Sequence, residues 1–232
     1  MHNKRSIVLV SGGLDSCLTA AIAQQQGYDM AFLHVNYGQR TELRELKSFK
    51  DIAHHYKVSE QLVADIRYLK EIGGSSLVDR NIPLEKQQQL PGTTIPSTYV
   101  PFRNTHLLAI ATSWAETIQA GTIFIGAVEE DSSGYPDCRS DFFSTFNQLI
   151  DEGTRPETQI TIKTPIITLR KKDIVLKAIT LKAPLHLTWS CYDKSRKACG
   201  VCDSCMLRLR GFKEAGAEDP IPYVSQRYSS LS

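Results

Sequence analysis

Ser11-Gly12-Gly13-Leu14-Asp15-Ser16 follows an apolar run at residues 7–10 and precedes a helical pattern of apolar side chains. An apolar run that ends in Ser-Gly-Gly predicts a buried strand, a sharp turn and a helix. Glycine lets the backbone come close to a ligand, and the first N–H groups of a helix have no partner within it. Together with the positive end of the helix dipole, these groups form an anion-binding site. A tight turn with two structural glycines is the alternative.

Further predicted strands and helices alternate along the chain. The predicted strands span residues 7–10, 31–35, 61–66, 122–127 and 160–165. Their alternation with amphipathic segments is typical of βαβ units, and it predicts an α/β fold with an open parallel sheet and helices on both faces. Ligands of such sheets bind beyond the carboxyl ends of the strands. We therefore expect the turn at 11–16 and the segments at 36–40 and 129–139 to face one crevice.

The segment at residues 73–98 contains adjacent glycines, a run of glutamines and several prolines. This composition predicts a long loop with little regular structure, and loops of this length within a domain often serve as lids. We expect this one to become ordered when a ligand binds. The next segment, 99–104, is expected to open a helix.

The composition of the chain argues against general binding to nucleic acids or membranes. The chain has 232 residues, of which 41% are hydrophobic, and its 27 basic and 25 acidic residues give a net charge of +2. A nearly neutral chain offers no general surface for nucleic acid or membranes. The short basic cluster at 170–172 is interpreted as a solvent-exposed helix start. Because the sequence shows no signal peptide and no apolar run of membrane-spanning length, we expect a cytoplasmic protein.

Four of the six cysteines lie close together in the sequence, as Cys191, Cys199, Cys202 and Cys205. Two consecutive two-residue spacers let thiolates converge on a single ion, and cysteines in a cytosolic chain favour metal binding over disulfides. Four thiolates with no open position indicate one structural Zn²⁺ per chain, with an iron–sulfur cluster as the alternative. We therefore expect an α/β domain at 1–184 and a zinc-binding segment at 185–232 packed on it.

Five stretches together resemble a known family. SGGLDS at 11–16 fits the SGGxDS pyrophosphate loop (PP-loop) of the ATP pyrophosphatase superfamily at every position. The other stretches are VNYGQR at 35–40, YVPFRN at 99–104, DSSGYPDCR at 131–139, and TWSCY at 188–192 with CGVCDSC at 199–205. In combination they resemble the 7-cyano-7-deazaguanine synthase family over nearly the whole chain. The resemblance implies an adenine nucleotide α-hydrolase-like, Rossmann-like fold with ATP bound by the α/β domain.

That family uses ATP and ammonia to turn a 7-carboxylate on deazaguanine into a nitrile. The resemblance implies a ligase of queuosine biosynthesis that adenylates first the carboxylate and then the amide. It also implies that the protein needs ATP, Mg²⁺ and one Zn²⁺, and forms a homodimer without binding nucleic acid directly. A tRNA-thiolating enzyme with the same loop is one alternative, and a nucleic-acid-binding module built on the zinc segment is another.

The resemblance also assigns site residues. ATP phosphates are expected to contact Val10, Ser11, Gly12, Gly13, Leu14, Asp15 and Ser16. Catalytic roles fall to Asp15, Ser16, Arg103 and Asp131. Substrate contacts are expected from Tyr37, Gln39, Arg103, Asn104, Tyr135, Asp137 and Arg139.

Several of these roles have a chemical reason. Asp15 would hold Mg²⁺ or the N–H groups of its own turn. Arg103 suits a phosphate or a carboxylate, since a guanidinium binds either with two hydrogen bonds. Asp137 or Asp131 would accept hydrogen bonds from the guanine-like edge. Either of the two tyrosines among the expected substrate contacts would stack on the base. A role in packing the protein interior explains the presence of each tyrosine equally well.

Overall fold

A computed structural model describes residues 4–84, 95–129 and 134–224. The strands in these residues are β1 (Arg5–Leu9), β2 (Asp29–Asn36), β3 (Gln61–Asp65), β4 (Thr122–Phe124) and β5 (Thr161–Lys163). The α-helices are α1 (Leu14–Gln25), α2 (Glu42–His55), α3 (Tyr68–Ile72), α4 (Arg103–Ile118), α5 (Ser140–Gly153), α6 (Lys171–Thr180) and α7 (Asp203–Glu214). Short 3-10 helices span Pro136–Cys138 and Leu185–Leu187. Within this described part, no helix is both long and apolar enough to cross a membrane.

The sheet has the order β3-β2-β1-β4-β5 with every pairing parallel, so the predicted open parallel sheet is confirmed. The strand order reverses between β1 and β4, and ligands of such sheets bind in the crevice at this point. β4 ends at Phe124, three residues earlier than predicted. Just beyond it, Gly126 passes so close to α1 that a Cβ there would lie 2.8 Å from Thr19 Oγ1.

Helices cover both faces of the sheet, as expected. Ile7, Leu33 and Ile123 point to the face that carries α4 and α5. Val8 and Phe32 point to the opposite face, which carries α1 and α2. The alternation follows from the two-residue period of a strand. Because both faces are covered, the strands are nearly continuous apolar runs rather than alternating ones.

The residues beyond 184 pack on this core. Helix α7 lies against α6, and α6 lies against α1; one cluster that includes Leu18, Ile174 and Phe212 joins the three helices. A second, smaller cluster surrounds the cysteines and contains Trp189 and Ile221. The C-terminal segment therefore extends the core of the α/β part, while a domain boundary between 184 and 185 stays a prediction.

Residues 73–84 form no helix or strand, as the composition predicts, yet they pack closely on the rest of the domain. Leu77 is buried in the core, and Arg40 donates hydrogen bonds to three backbone carbonyls of the segment. These carbonyls belong to Ser76, Asp79 and Ile82, at 2.7, 3.0 and 2.7 Å. This half of the segment is therefore a packed part of the domain. The rest of the predicted lid falls largely on residues 85–94, which lie outside the described residues.

Candidate active site

A cavity of about 310 Å³ opens at the carboxyl ends of β1, β2 and β4, where the strand order reverses. It is bounded by the turn after β1, the end of β2, and the first residues of α4, α6 and α7. The charged side chains that line it are Asp15, Glu45, Arg103, Lys171, Asp203 and Arg208. The predicted crevice is therefore present, and the turn at 11–16 forms one of its walls.

The turn after β1 has a geometry that requires glycine. Gly12 has a φ of +91°, and a Cβ at this position would lie 2.7 Å from the carbonyl oxygen of Glu45. Ser16 Oγ donates to the carbonyl of Gly13 at 3.1 Å, and the hydroxyls of Ser11 and Ser16 are 3.1 Å apart. Because α1 begins at Leu14, the N–H groups of its first turn point toward the cavity without intrahelical partners. The predicted anion site thus has the required backbone.

Lys171 brings a positive charge to this turn. Its Nζ lies 2.9 and 3.0 Å from the two carboxylate oxygens of Asp15, and its side chain is only 11% exposed. It reaches the turn because Gly211 of α7 leaves room for it; a Cβ on Gly211 would lie 2.6 Å from Lys171 Cγ. The interpretation of 170–172 as a solvent-exposed helix start is therefore wrong for Lys171. The sequence did contain a signal for a cavity position here. Lys171 lies after the last predicted strand, and the other cavity segments also lie after predicted strands.

Arg103 is the first residue of α4 and faces the cavity from the opposite side. Phe102 before it adopts a left-handed conformation with φ +59°, which ends the extended approach and starts the helix four residues later than predicted. Arg103 Nη1 donates to the Tyr37 hydroxyl at 3.2 Å, and its guanidinium lies 5.2 Å from the centroid of that ring. Its Nε is buried without a partner among the described residues. A buried unpaired donor in a cavity indicates a site for an anion.

Asp137, Gln39 and Arg139 are not among the residues that line the cavity, and their expected substrate contacts stay predictions of the sequence. Asp137 Oδ2 accepts the backbone N–H of Asn104 at 2.9 Å, and its carbonyl accepts from Asn104 Nδ2 at 2.7 Å. The orphan N–H of Asn104 at the start of α4 thus engages one oxygen of this carboxylate. Arg139 is exposed and donates to the carbonyl of Pro136. Asp131 lies outside the described residues.

Tyr37, Asn104 and Tyr135 line the cavity as expected. The Tyr135 hydroxyl lies 2.5 Å from Thr98 Oγ1, and burial raises the pKa of Tyr135. Burial likewise raises the pKa of Tyr37 to about 12, so both phenols are neutral at physiological pH. Neutral aromatic rings beside a buried guanidinium provide flat surfaces for a planar substrate.

Two further cavity residues were missed from the sequence. His34 is fully buried, with Nδ1 2.9 Å from the carbonyl of Val10 and Nε2 3.1 Å from Asn36 Oδ1. Burial lowers its pKa, so a neutral imidazole holds the backbone that enters the turn. Glu45 lies on α2, and burial raises the pKa of its carboxyl group. Both residues lie in segments whose pattern indicated only a strand and an amphipathic helix, so the sequence carried no signal for them.

The four C-terminal cysteines form a cluster that fits a metal ion. All four Sγ atoms lie within 4.8 Å of one another, and Cys199 Sγ is 3.9 Å from Cys205 Sγ. Thiolates around a tetrahedral Zn²⁺, with Zn–S distances of about 2.3 Å, would be about 3.8 Å apart. The Sγ of Cys191 also accepts backbone N–H groups from Lys194 and Cys199, each at 3.3 Å, which favour a thiolate. The predicted convergence of the four cysteines is therefore confirmed, and their arrangement is compatible with metal binding.

The segment between α6 and α7 joins the metal cluster to the cavity. The N–H of Trp189 donates to the carbonyl of Gly12 at 2.8 Å, which ties this segment to the anion-binding turn. Arg44 of α2 stacks on the Trp189 ring at 4.4 Å, and Tyr192 lines the cavity beside Cys191. Loss of the metal cluster would therefore disturb the cavity wall as well as the C-terminal fold.

Comparisons with known proteins agree with this site. The profile of a family described as "Queuosine biosynthesis protein QueC" matches residues 5–216. A 7-cyano-7-deazaguanine synthase from Chlorobium phaeobacteroides is 56% identical over 219 residues, which cover 94% of this chain and 96% of that protein. A protein of the same name from Chlorobium chlorochromatii is 55% identical over 222 residues, covering 96% and 97%.

The fold also has solved relatives of low sequence identity. The predicted subunit of a tRNA methyltransferase from Methanocaldococcus jannaschii is 16% identical and aligns with a TM-score of 0.50, over 96% of this chain and 93% of that one. At this identity the likeness supports the α/β fold alone.

Proposed function

Since the chain belongs to the queuosine biosynthesis protein QueC family, we propose that it converts 7-carboxy-7-deazaguanine and ammonia to 7-cyano-7-deazaguanine with ATP. The observation that carries this proposal is the pairing of an anion-binding turn with Arg103 across one cavity. A nucleotide phosphate and an aromatic carboxylate can then be held face to face. The names of the relatives, which cover nearly the whole chain, agree with this activity.

The proposed chemistry removes two oxygens by adenylation. A carboxylate oxygen attacks the α-phosphate of ATP, pyrophosphate leaves, and ammonia then displaces AMP to give the primary amide. The amide oxygen attacks the α-phosphate of a second ATP, and loss of AMP with the nitrogen-bound protons gives the nitrile. Each nitrile therefore consumes two ATP and releases two AMP and two pyrophosphates. Catalysis rests on positioning and on stabilising phosphate charge, without a protein nucleophile.

The described residues divide these tasks. The N–H groups of the turn, the hydroxyls of Ser11 and Ser16, and the ammonium of Lys171 would hold the phosphates. Lys171 would exchange its bond to Asp15 for a phosphate oxygen as the nucleotide enters. Arg103 would pair with the substrate carboxylate through its buried Nε, and the Tyr37 ring would carry the base.

Two metals accompany the proposal. The four cysteines would hold Zn²⁺ as a structural ion, because four thiolate ligands leave no coordination position open for a substrate. Mg²⁺ would travel with the ATP phosphates, and Asp15 is the carboxylate of the turn that would approach it. A homodimer, a cytoplasmic location and the lack of a direct nucleic-acid partner stay predictions of the sequence, as does the catalytic role of Asp131.

Mass spectrometry of the reaction products tests the proposal. Purified protein is incubated with 7-carboxy-7-deazaguanine, ATP, Mg²⁺ and ammonium, and we expect nitrile with two AMP per turnover and the amide as a transient species. A second reaction contains synthetic amide and ATP without ammonium, and it should give nitrile with one AMP. ADP and phosphate as products, or no nitrile from the amide, would contradict the double adenylation.

A further inference from the structure

The proposed reaction gives no role to the carboxylate of Glu45, one of the acidic groups that line the cavity. Among the described acidic side chains that line the cavity, Asp15 pairs with Lys171, and Asp203 begins α7, where a carboxylate complements the helix dipole. Glu45 likewise lies in a first turn, that of α2, with its backbone against Gly12, but Gln39 also links its side chain to Tyr37 at the cavity. A carboxylate held in a cavity at the cost of desolvation calls for a ligand with hydrogen-bond donors.

Glu45 and Arg103 lie at opposite ends of Tyr37. Arg103 bonds the phenol oxygen of Tyr37, whereas Gln39 accepts the backbone N–H of Tyr37 at 2.9 Å and donates to Glu45 Oε2 at 3.1 Å. Arg103 thus contacts the phenol end of Tyr37, and Gln39 joins Glu45 to its backbone end. A flat bicyclic ring laid along Tyr37 would place an anionic substituent at Arg103 and the opposite edge of the ring near Glu45.

The hydrogen bonds that Glu45 already accepts leave acceptor capacity on both of its carboxylate oxygens. Thr41 Oγ1 donates to Oε1 at 2.7 Å, and Gln39 Nε2 donates to Oε2. Each carboxylate oxygen accepts two hydrogen bonds, so one acceptor site remains on each. Two acceptor oxygens on one carboxylate match two adjacent N–H donors, which is the pattern of the N1–H and the 2-amino group of a guanine-type ring. The donors from Thr41 and Gln39 also fix the orientation of the carboxylate.

We propose that Glu45 determines base specificity by accepting the N1–H and 2-amino hydrogens of the deazaguanine ring. The inference rests on the proposed function, and it assigns to Glu45 the task that the sequence placed on Asp137 or Asp131. Gln39 becomes a positioning residue, because it links Glu45 to the backbone of Tyr37. Acceptance of an ammonium ion by the same carboxylate is the competing role that the experiment must separate.

Equilibrium binding tests the proposal without requiring turnover. Calorimetry measures the affinities of 7-carboxy-7-deazaguanine and of the same compound without its 2-amino group, with neither ATP nor ammonium present. We expect wild-type protein to bind the amino compound about 10- to 100-fold more tightly, as for other paired contacts to a base edge. Glu45→Gln should reduce the difference to a few-fold, and Glu42→Gln, one turn earlier on α2, should leave it unchanged. Thermal melting confirms that each variant is folded.

Specific results would overturn the proposal. Equal affinity of wild-type protein for the two compounds is sufficient by itself, whatever the variants do. Unchanged discrimination in Glu45→Gln has the same meaning, and a raised KM for ammonium in that variant would then assign the carboxylate to ammonium. Failure of the proposed function looks different, since wild-type protein would then discriminate between the compounds yet form no nitrile.

Discussion

Two aspartates each hold a basic side chain that is withdrawn from solvent, one at the start of α1 and one beyond the end of α7. In the C-terminal pair, Arg208 and Asp219 are 2% and 4% exposed, and two parallel hydrogen bonds of 2.7 and 2.9 Å join them. In the pair beside the phosphate turn, Lys171 and Asp15 are 11% and 33% exposed. Asp15, Lys171 and Arg208 all line the same cavity, yet the surroundings of the two pairs differ.

The difference lies in how many hydrogen bonds each basic group makes. Arg208 also donates to Thr188 Oγ1 at 2.8 Å, to Ser190 Oγ at 3.2 Å and to the carbonyl of Leu185. Its guanidinium is therefore saturated, and it cross-links the segment after α6 to the segment after α7. Lys171 contacts a single carboxylate that is open to the cavity. A saturated buried charge stabilises a fold, whereas a partly open one can exchange its partner for a ligand.

Loss of the metal should reduce stability more than any other change, because the metal site, like the Arg208–Asp219 pair, stabilises the fold. Cys202→Ser removes a ligand of a site whose Zn²⁺ affinity contributes about 10–16 kcal/mol in small zinc motifs. We expect metal content to fall from one ion per chain toward zero and the folded yield to collapse. Metal analysis and soluble yield measure this, with the buried Cys17→Ala as the matched control. A full complement of metal in Cys202→Ser would contradict the four-cysteine site, and iron with sulfide would indicate a cluster.

Arg208→Met tests whether the saturated pair is structural. The substitution leaves Asp219 buried and unpaired, which costs about 3–5 kcal/mol in comparable pairs. We expect urea unfolding to report a loss of this size in the free energy of unfolding. Arg210→Met is the matched control on the same helix, because this side chain is 56% exposed and its pair with Glu214 is worth about 1 kcal/mol or less. Equal losses in the free energy of unfolding of the two variants would show that the buried pair contributes no more to stability than the exposed one.

Lys171→Met tests the other side of the comparison. If Lys171 stabilises phosphate charge, kcat/KM should fall about 10²–10³-fold, as when a preorganised electrostatic contact is removed elsewhere. The free energy of unfolding should change by about 1 kcal/mol or less, since its partner Asp15 remains partly solvated. Lys172→Met, the neighbouring position outside the cavity, should keep wild-type activity. A large loss of stability with normal activity of the folded protein would make both pairs structural.

The parts of the molecule that could be predicted are those whose physics is local in the chain. The turn at 11–16 follows from a strand, two glycines and a helix start within a few residues. The metal cluster follows from spacers that bring four thiols together within one short segment. The parallel sheet follows from apolar runs that alternate with helical ones. Each of these patterns specifies its own geometry, because neighbouring residues have few ways to be arranged.

Tertiary structure decided which side chains meet in the cavity. Lys171 lies 156 residues from Asp15, and only the packing of α6 against Gly211 of α7 brings them together. The sequence assigned Asp137 to a ligand, whereas in the structure its carboxylate accepts the backbone N–H of Asn104 at the start of α4. Glu45 had no role assigned from the sequence, and only the folded chain brings its side chain to the cavity. Such outcomes depend on which surfaces become buried against each other, and hydrogen bonds and desolvation then reassign each polar group.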